Sequence, residues 1–184
     1  MKSGRNPDEA LSHLSSVLRE VEADFVNPFL TALNITLKSM TMGQSIPHKG
    51  ALSLVSSNSL AGDILISLRV EGMIKGLVVL SIQDEISKKL VSSFLFGVPI
   101  VELDEMAKNS LMEFSLRIAE VAHTQLINQG YAANVTFHIN YNKPVQFSRE
   151  HQFLVVPLKT EQGQFNIFFN IMKADSAQQP PQSN

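Results

Sequence analysis

One amphipathic segment, residues 104–128, constrains the fold of this chain more than any other part of the sequence. At 3.6 residues per turn, its apolar side chains recur on one face of a helix of about seven turns. That face carries Leu103, Ala107, Leu111, Phe114, Ile118, Val121 and Ala122. An apolar stripe of this length must be buried against other elements, so the sequence predicts a long helix packed on the core.

The opposite face of this predicted helix is the candidate functional surface. We call it the ridge, and it comprises Asn109, Glu113, Leu116, Arg117 and Glu120. An exposed glutamate and a single exposed leucine are ordinary on a solvated helix. A leucine within a polar ridge can also form the apolar centre of a partner's footprint. The residues alone leave both interpretations open.

The composition excludes several classes of function. With 184 residues, 44% of them hydrophobic, and a formal net charge of −2, the chain fits one globular domain without a stripe for nucleic acid. The absence of cysteine excludes disulfides, thiol nucleophiles and cysteine-ligated metals. The beginning of the sequence lacks the apolar segment of a signal peptide, and no stretch approaches the ~20 apolar residues of a membrane span. We expect a soluble, cytoplasmic protein.

The sequence contains no motif for a cofactor or a metal. Gly72 and Gly76 flank a predicted β-turn rather than a phosphate loop between a strand and a helix. The histidines have no metal-binding spacing: His13, His48, His123, His138 and His151. His123, at the edge of the outward helix face, is expected to be solvated or to act as a cap. We therefore expect no metal and no cofactor bound by the chain itself.

Three further helices are predicted. Residues 8–23 have apolar side chains at spacings of three and four, and residues 1–24 are interpreted as an extra N-terminal helix. Pro28 is suited to the first turn of a second helix that ends near residue 41. Asp84 is the predicted N-cap of a third helix, which ends near Gly97.

Alternation of apolar and polar residues predicts an antiparallel sheet with one buried face. The predicted strands cover 51–56, 64–70, 77–82, 135–141, 153–158 and 165–171, with a hairpin turn at 161–163. Residues 174–184 have the composition of a disordered tail. Together the elements predict one α+β domain whose largely antiparallel sheet carries the 84–97 and 104–128 helices on its buried face. Strand 164–172 is expected to offer an exposed edge for pairing in a homodimer.

Several strings, taken in order, resemble the CheX-like branch of the CheC/CheX chemotaxis phosphatases. The resemblance covers residues 25–173. The matching strings are F-V-N-P-F-L-T-A at 25–32, G-M-I-K-G-L-V-V-L-S-I at 72–82, D-E-M-A-K-N-S-L-M-E-F-S-L-R-I-A at 104–119, and F-L-V-V-P-L-K-T-E-Q-G-Q-F-N-I-F-F-N-I at 153–171.

The resemblance implies a homodimer that hydrolyses the aspartyl phosphate of a CheY-like receiver domain, with any Mg²⁺ held by the receiver. The family motif is Asp or Ser, three residues, Glu, two residues, and Asn. In this chain those positions hold Asn109, Glu113 and Leu116. The glutamate, which would pair with a receiver lysine, is retained, whereas the amide that would hold the attacking water is replaced by leucine. Asn109, one turn earlier, is the candidate substitute and, with Glu113, the candidate catalytic residue.

Three hypotheses follow for the function of the chain. The first is a phosphatase of a phosphorylated receiver, weakened because leucine can neither donate to nor accept from water. The second is a non-catalytic binding or scaffold protein with the same fold. The third is an unrelated α+β scaffold or oligomerisation module whose ridge is merely solvated.

Overall fold

The computed structural model describes residues 23–174, so the predicted helix at 8–23 and the predicted tail lie, but for Ala23 and Ala174, outside the described residues. Within this range the chain forms three helices and one seven-stranded sheet. The helices are α1 (Ala23–Met40), α2 (Asp84–Phe94) and α3 (Glu105–Asn128). The strands are β1 (His48–Lys49), β2 (Ser53–Leu60), β3 (Ile64–Gly72), β4 (Ile74–Ile82), β5 (Ala133–Tyr141), β6 (Val145–Thr160) and β7 (Gly163–Lys173).

The sheet has the strand order β1-β6-β7-β4-β3-β5, with β2 also paired to β6. Every pairing is antiparallel, which confirms the predicted α+β class. The prediction that strand 164–172 is an exposed edge is wrong. β7 lies between β4 and β6, and both rows of its backbone groups are used in the sheet. The edges of the described sheet are formed by β5 on one side and by β1 and β2 on the other.

The main core lies between one face of the sheet, which we call the inner face, and the helices. The stripe on α3 supplies its centre: Ala107, Leu111, Phe114, Ile118 and Ala122 are buried, and Leu103 and Val121 are partly buried. The Phe114 ring lies 5.2 Å from the ring of Phe94 on α2, and Phe29 on α1 lies 6.2 Å from Phe169 on β7. The first contact packs α3 against α2, the second packs α1 against the sheet, and the ridge of α3 faces outward.

A second, smaller apolar cluster covers the other face of the sheet, the outer face. It joins Leu60 and Phe153 to Leu65 and Val79, whose chain neighbours point into the main core. This second cluster forms because of the course of β6. Within residues 23–174, β6 pairs with β7 from Leu154 onward, whereas its first half pairs only with β2. The resulting ribbon folds over the outer face. The sequence predicted only strand 153–158, because residues 145–152 are mostly polar and exposed.

The helix ends follow the predictions unevenly. Asp104 is the N-cap of α3, and its carboxylate accepts the Ala107 N–H at 2.8 Å. Asp84, in contrast, is the first residue of α2 rather than its cap. Its backbone N–H donates to the Asp63 carboxylate at 2.9 Å, and its own carboxylate pairs with Lys88 at 2.6 Å. The loop before β3 therefore supplies the capping carboxylate.

Pro28 does not begin a helix but lies inside α1. The preceding turn stays helical because Phe25 and Phe29 are almost fully buried and hold both sides of the proline in the core. The Phe25 ring contacts Tyr131 edge-on at 5.1 Å, which fastens this end of α1 beside the end of α3. Within residues 23–174, no helix is long and apolar enough to cross a lipid bilayer.

Candidate functional site: the outward ridge of the long helix

The five ridge residues, Asn109, Glu113, Leu116, Arg117 and Glu120, are all exposed on α3. They are presented by the same geometry that buries the opposite stripe, since side chains three and four positions apart share one helix face. Leu116 keeps 40% of its surface exposed in the middle of this ridge. The structure therefore brings the sequence-predicted site residues together on one solvent-facing surface.

Glu113 is engaged within its own helix. The Arg117 Nε–H donates to Glu113 Oε1 at 2.6 Å, one turn away, and each side chain is 48% exposed. Exposed ion pairs at this helical spacing contribute only about 0.3–0.5 kcal/mol. A partner's cation can therefore displace Arg117 at little energetic cost, but it meets a paired carboxylate rather than an open one.

The ridge residues face two different clefts. Asn109 and Glu113 line a cleft of about 740 Å³ between α3 and the ends of the other two helices, with Met40 and Phe94 on its far side. Leu116 lines a separate cleft of about 590 Å³, whose other residues are Glu71, Ala119, Glu120, His123, Asn134, Val135, Thr136 and Phe137. Asn109 and Leu116 therefore line two separate clefts.

Apolar side chains flank Glu113 along the helix. Met106 is 48% exposed and Met112 is 50% exposed, and Met106 lines the Asn109 cleft. Beyond the end of α2, Phe96 and Val101 are more exposed still. Exposed methionines adapt to the shapes of partner surfaces. Met106 and Met112 were not among the residues predicted for the site. The sequence could have indicated them, because they are apolar residues outside the core stripe of α3.

His123 has a structural position beside the Leu116 cleft. Its ring Nδ1 lies 2.8 Å from the Ala133 carbonyl oxygen, at the start of β5. The half-buried ring thus ties α3 to the edge strand, in place of the solvated or capping role expected from the sequence. Where α3 begins and β5 ends, Lys108 Nζ lies 5.4 Å from the centre of the Tyr141 ring. Burial raises the pKa of the Tyr141 hydroxyl above its ordinary value of 10.0.

Among residues 23–174, no group of three or more His, Asp or Glu side chains could hold a metal ion. The chemistry that the ridge can offer therefore consists of two carboxylates, of which that of Glu113 is paired with Arg117, one amide, one guanidinium and an apolar surround. Such a set can recognise a charged partner surface. It contains no group at position 116 that can orient a water molecule.

The described residues form an α+β domain of the CheC/CheX-like fold, built on a seven-stranded antiparallel sheet. No protein-family model matches the chain, and no curated protein matches its sequence. Solved structures supply the similarity instead, at identities that establish the fold alone.

Three of these structures illustrate the similarity. The CheX chemotaxis protein of Desulfovibrio desulfuricans is 19% identical over 80% of this chain and 98% of its own, with a TM-score of 0.67. A CheC-like superfamily protein of Shewanella sp. PV-4 is 21% identical over 82% and 97%, with a TM-score of 0.68. A chain of the CheX–CheY–BeF₃–Mg²⁺ complex of Borrelia burgdorferi is 21% identical over 83% and 100%, with a TM-score of 0.65.

Proposed function

We propose that this chain docks through the ridge of α3 on a phosphorylated, CheY-like receiver domain and hydrolyses its aspartyl phosphate only slowly. One observation carries the proposal. Glu113, at the glutamate position of the family motif, is exposed on the long helix of a CheC/CheX-like fold, while Leu116 occupies the position of the motif amide. The existence of a CheX–CheY complex in Borrelia burgdorferi supports a receiver as the class of partner.

The expected weakness of hydrolysis follows from the chemistry of the reaction. Breaking an aspartyl phosphate requires a water molecule held in line with the leaving carboxylate oxygen. Leucine cannot hold that water. Asn109 is a poor substitute because its side chain lines the other cleft, and a displacement of ~1 Å can reduce a rate about a hundredfold. The proposed reaction uses no cofactor of this chain, and any Mg²⁺ would belong to the receiver.

Docking would exchange the partners of Glu113. A receiver lysine would take the carboxylate from Arg117, and the released guanidinium would lie next to the phosphoryl oxygens, for which its planar fork of N–H donors is suited. Met106, Met112 and Leu116 would cover the contact against water. The combination favours binding that depends on phosphorylation, with or without turnover.

A second candidate function is a non-catalytic binding or scaffold protein with this fold, and the replacement of the amide by Leu116 favours it. The two functions differ in a single measurable quantity, the rate at which a bound receiver loses its phosphate. Binding that leaves this rate unchanged would favour the scaffold, whereas even a weak acceleration would favour the phosphatase.

The decisive experiment uses a panel of CheY-like receivers, phosphorylated with a small phosphodonor, and measures both affinity and dephosphorylation rate. Wild type should bind and accelerate hydrolysis little. Leu116→Asn should accelerate it further, and Glu113→Ala should abolish both binding and that gain. Glu102→Ala, which removes another exposed carboxylate just before α3, is the matched control and should change neither.

Two outcomes would overturn the proposal. Strong hydrolysis by wild type would mean that another group, with Asn109 as the first candidate, positions the water. Failure of wild type and Leu116→Asn to bind any receiver in the panel would mean that the likeness reports the fold and not the function.

We also propose a cytoplasmic homodimer, as the resemblance implies. Within residues 23–174 the edge strand β5 pairs only with β3, so its other side offers backbone groups for antiparallel pairing across a two-fold axis. Sedimentation should show a dimer at micromolar concentration, and Thr136→Pro on β5 should weaken it. A monomer under these conditions would contradict the proposal.

A further inference from the structure

The outer face of the sheet carries a groove that has no part in the proposed docking. One cleft of about 570 Å³ lies where β3, β4 and β7 meet the crossing half of β6. A second cleft of about 440 Å³ continues it toward β5. Arg69, Leu77 and Phe147 line both clefts, so the two form one continuous surface, which we call the outer-face groove. Its dimensions fall within the range of small-molecule sites.

The charge of the groove is opposite to that of the chain. Arg69, Lys75 and Arg149 line the larger cleft, and among residues 23–174 Glu71 is its one acidic lining residue. The chain as a whole has more acidic than basic residues, 17 against 15. The three cations come from β3, β4 and β6, three strands that converge only in the folded protein. A concave surface that gathers cations in this way attracts anions.

Glu71 restrains Arg69 only weakly. The closest approach of their charged atoms is 3.9 Å, and both side chains are 69% exposed. Such a pair contributes little in water. Phosphate oxygens can therefore recruit the Arg69 guanidinium, which forms paired hydrogen bonds with phosphate more readily than with a single distant carboxylate oxygen.

Aromatic side chains form the apolar part of the groove. The Phe147 ring lies 5.3 Å from the ring of His151 and 5.4 Å from that of Phe153, which in turn contacts Phe168 at 6.2 Å. Phe153 is buried and supports the cluster from below, whereas Phe147 is only partly buried and lines both clefts. A supported, partly exposed ring is a platform on which a planar heterocycle can stack.

The smaller cleft contains polar atoms that require a partner. The Ser67 hydroxyl and the Asn140 side-chain carbonyl are buried, and neither has a hydrogen-bond partner within residues 23–174. Both residues line this cleft. Buried polar atoms without partners are uncommon because each loses its hydration without compensation. A ligand with ring N–H or hydroxyl groups would satisfy both atoms.

We propose that the outer-face groove binds a mononucleotide-class ligand, that is, a phosphate joined to a planar heterocycle. The phosphate would lie between Arg69 and Arg149, the heterocycle would stack on Phe147, and its polar edge would meet Ser67 and Asn140. The residues assigned to this ligand line neither cleft of the ridge of α3, so the proposal does not rest on docking through the ridge, although Glu71 lines both the cationic cleft and the Leu116 cleft.

The test is calorimetric titration of the full chain with adenosine and guanosine 5′-monophosphates, beside the nucleosides, inorganic phosphate and a short single-stranded oligonucleotide. At least one nucleotide should bind at least tenfold more tightly than its nucleoside and than phosphate, and added salt should weaken it. Arg149→Ala and Phe147→Leu should each reduce its affinity about tenfold. Lys159→Ala removes a cation from the same strand outside the groove and should have no effect, with melting temperatures checking that all variants fold.

Three results would overturn the assignment. The first is the absence of nucleotide binding at millimolar concentration. The second is binding that Arg149→Ala and Phe147→Leu leave unchanged. The third is phosphate alone or the oligonucleotide binding as tightly as any mononucleotide, which would identify a simple anion site or a nucleic-acid surface instead.

Discussion

Arg117 Nε lies 2.6 Å from Glu113 Oε1, so the carboxylate at the centre of the candidate site is already paired one turn away on its own helix. Glu113 is therefore not a free carboxylate that a partner could bind directly. The pair makes the affinity for a partner depend on how readily Arg117 gives up its contact. In the proposed docking, the pair also places the Arg117 guanidinium beside the phosphoryl group of the receiver.

Replacing Arg117 separates these two roles. If Arg117 only masks Glu113, Arg117→Ala should strengthen binding of a phosphorylated receiver by about twofold, the equivalent of a weak exposed ion pair. If the guanidinium contacts the phosphoryl group as proposed, the same variant should lose about tenfold in affinity for the phosphorylated form only. We expect the second result. Lys89→Ala, an exposed cation on α2, is the control and should change neither affinity.

Phe114 anchors the ridge from the buried side of α3. Its side chain has no exposed surface and contacts Phe94 on α2. Phe114→Ala should lower the free energy of unfolding by about 3–5 kcal/mol, because it removes buried contacts and leaves a cavity. Met112→Ala, on the exposed side two residues away, should cost less than about 0.5 kcal/mol. Urea denaturation measures both, and equal losses would contradict the assigned orientation of the helix.

The two helix starts predict an unequal response to removal of aspartate. Asp104→Ala removes the acceptor of the Ala107 N–H and should cost about 1 kcal/mol of stability. Asp84→Ala should cost about half as much, because it removes only a partly exposed pair with Lys88. Asp63→Ala should resemble Asp104→Ala, since Asp63 caps α2 from the loop before β3. Thermal unfolding of the three variants tests this order, and a larger loss for Asp84→Ala than for Asp63→Ala would contradict it.

The sequence predicted most of what depends on local periodicity. The stripe of α3, the start of this helix near residue 104 and the alternation of β5 and β7 are in the structure as expected. What it missed depends on contacts between distant residues. Asp63 caps a helix 21 positions away, and the first half of β6 is a strand because β2 pairs with it.

Gly76 is a single residue whose role could not be predicted from the local sequence. The sequence placed it beside a turn, yet it lies within β4 at φ 147°, where a Cβ atom would overlap the carbonyl oxygen of Asn170 on β7. No local pattern signals so close an approach between strands. The exposure of the ridge residues on one face of α3 could be predicted from sequence, because exposure on a helix follows from the same periodicity as burial, while their role in docking stays a prediction. The pairing of Glu113 with Arg117 and the two separate clefts required the structure.

The turn between β6 and β7 makes stability depend on pH. Hydrogen bonds that the Glu161 carboxylate accepts from its own backbone N–H and from the Ile46 N–H, together with the nearby His48, hold its pKa below the ordinary value of 4.5. A carboxyl group whose pKa is lowered by folding stabilises the protein above its unfolded pKa, and this contribution is lost as the pH falls through the folded pKa.

Glu161→Gln should therefore lower the urea midpoint at pH 7. At pH 3 the difference from wild type should shrink, because the wild-type carboxyl group then becomes protonated and neutral as well. The effect should be small because Glu161 is fully solvent-exposed. Glu150→Gln, which removes an exposed carboxylate on β6, is the control for the loss of one surface charge. A difference between Glu161→Gln and wild type that grows below pH 4.5 would reverse the sign and rule out the carboxylate as the stabilising group.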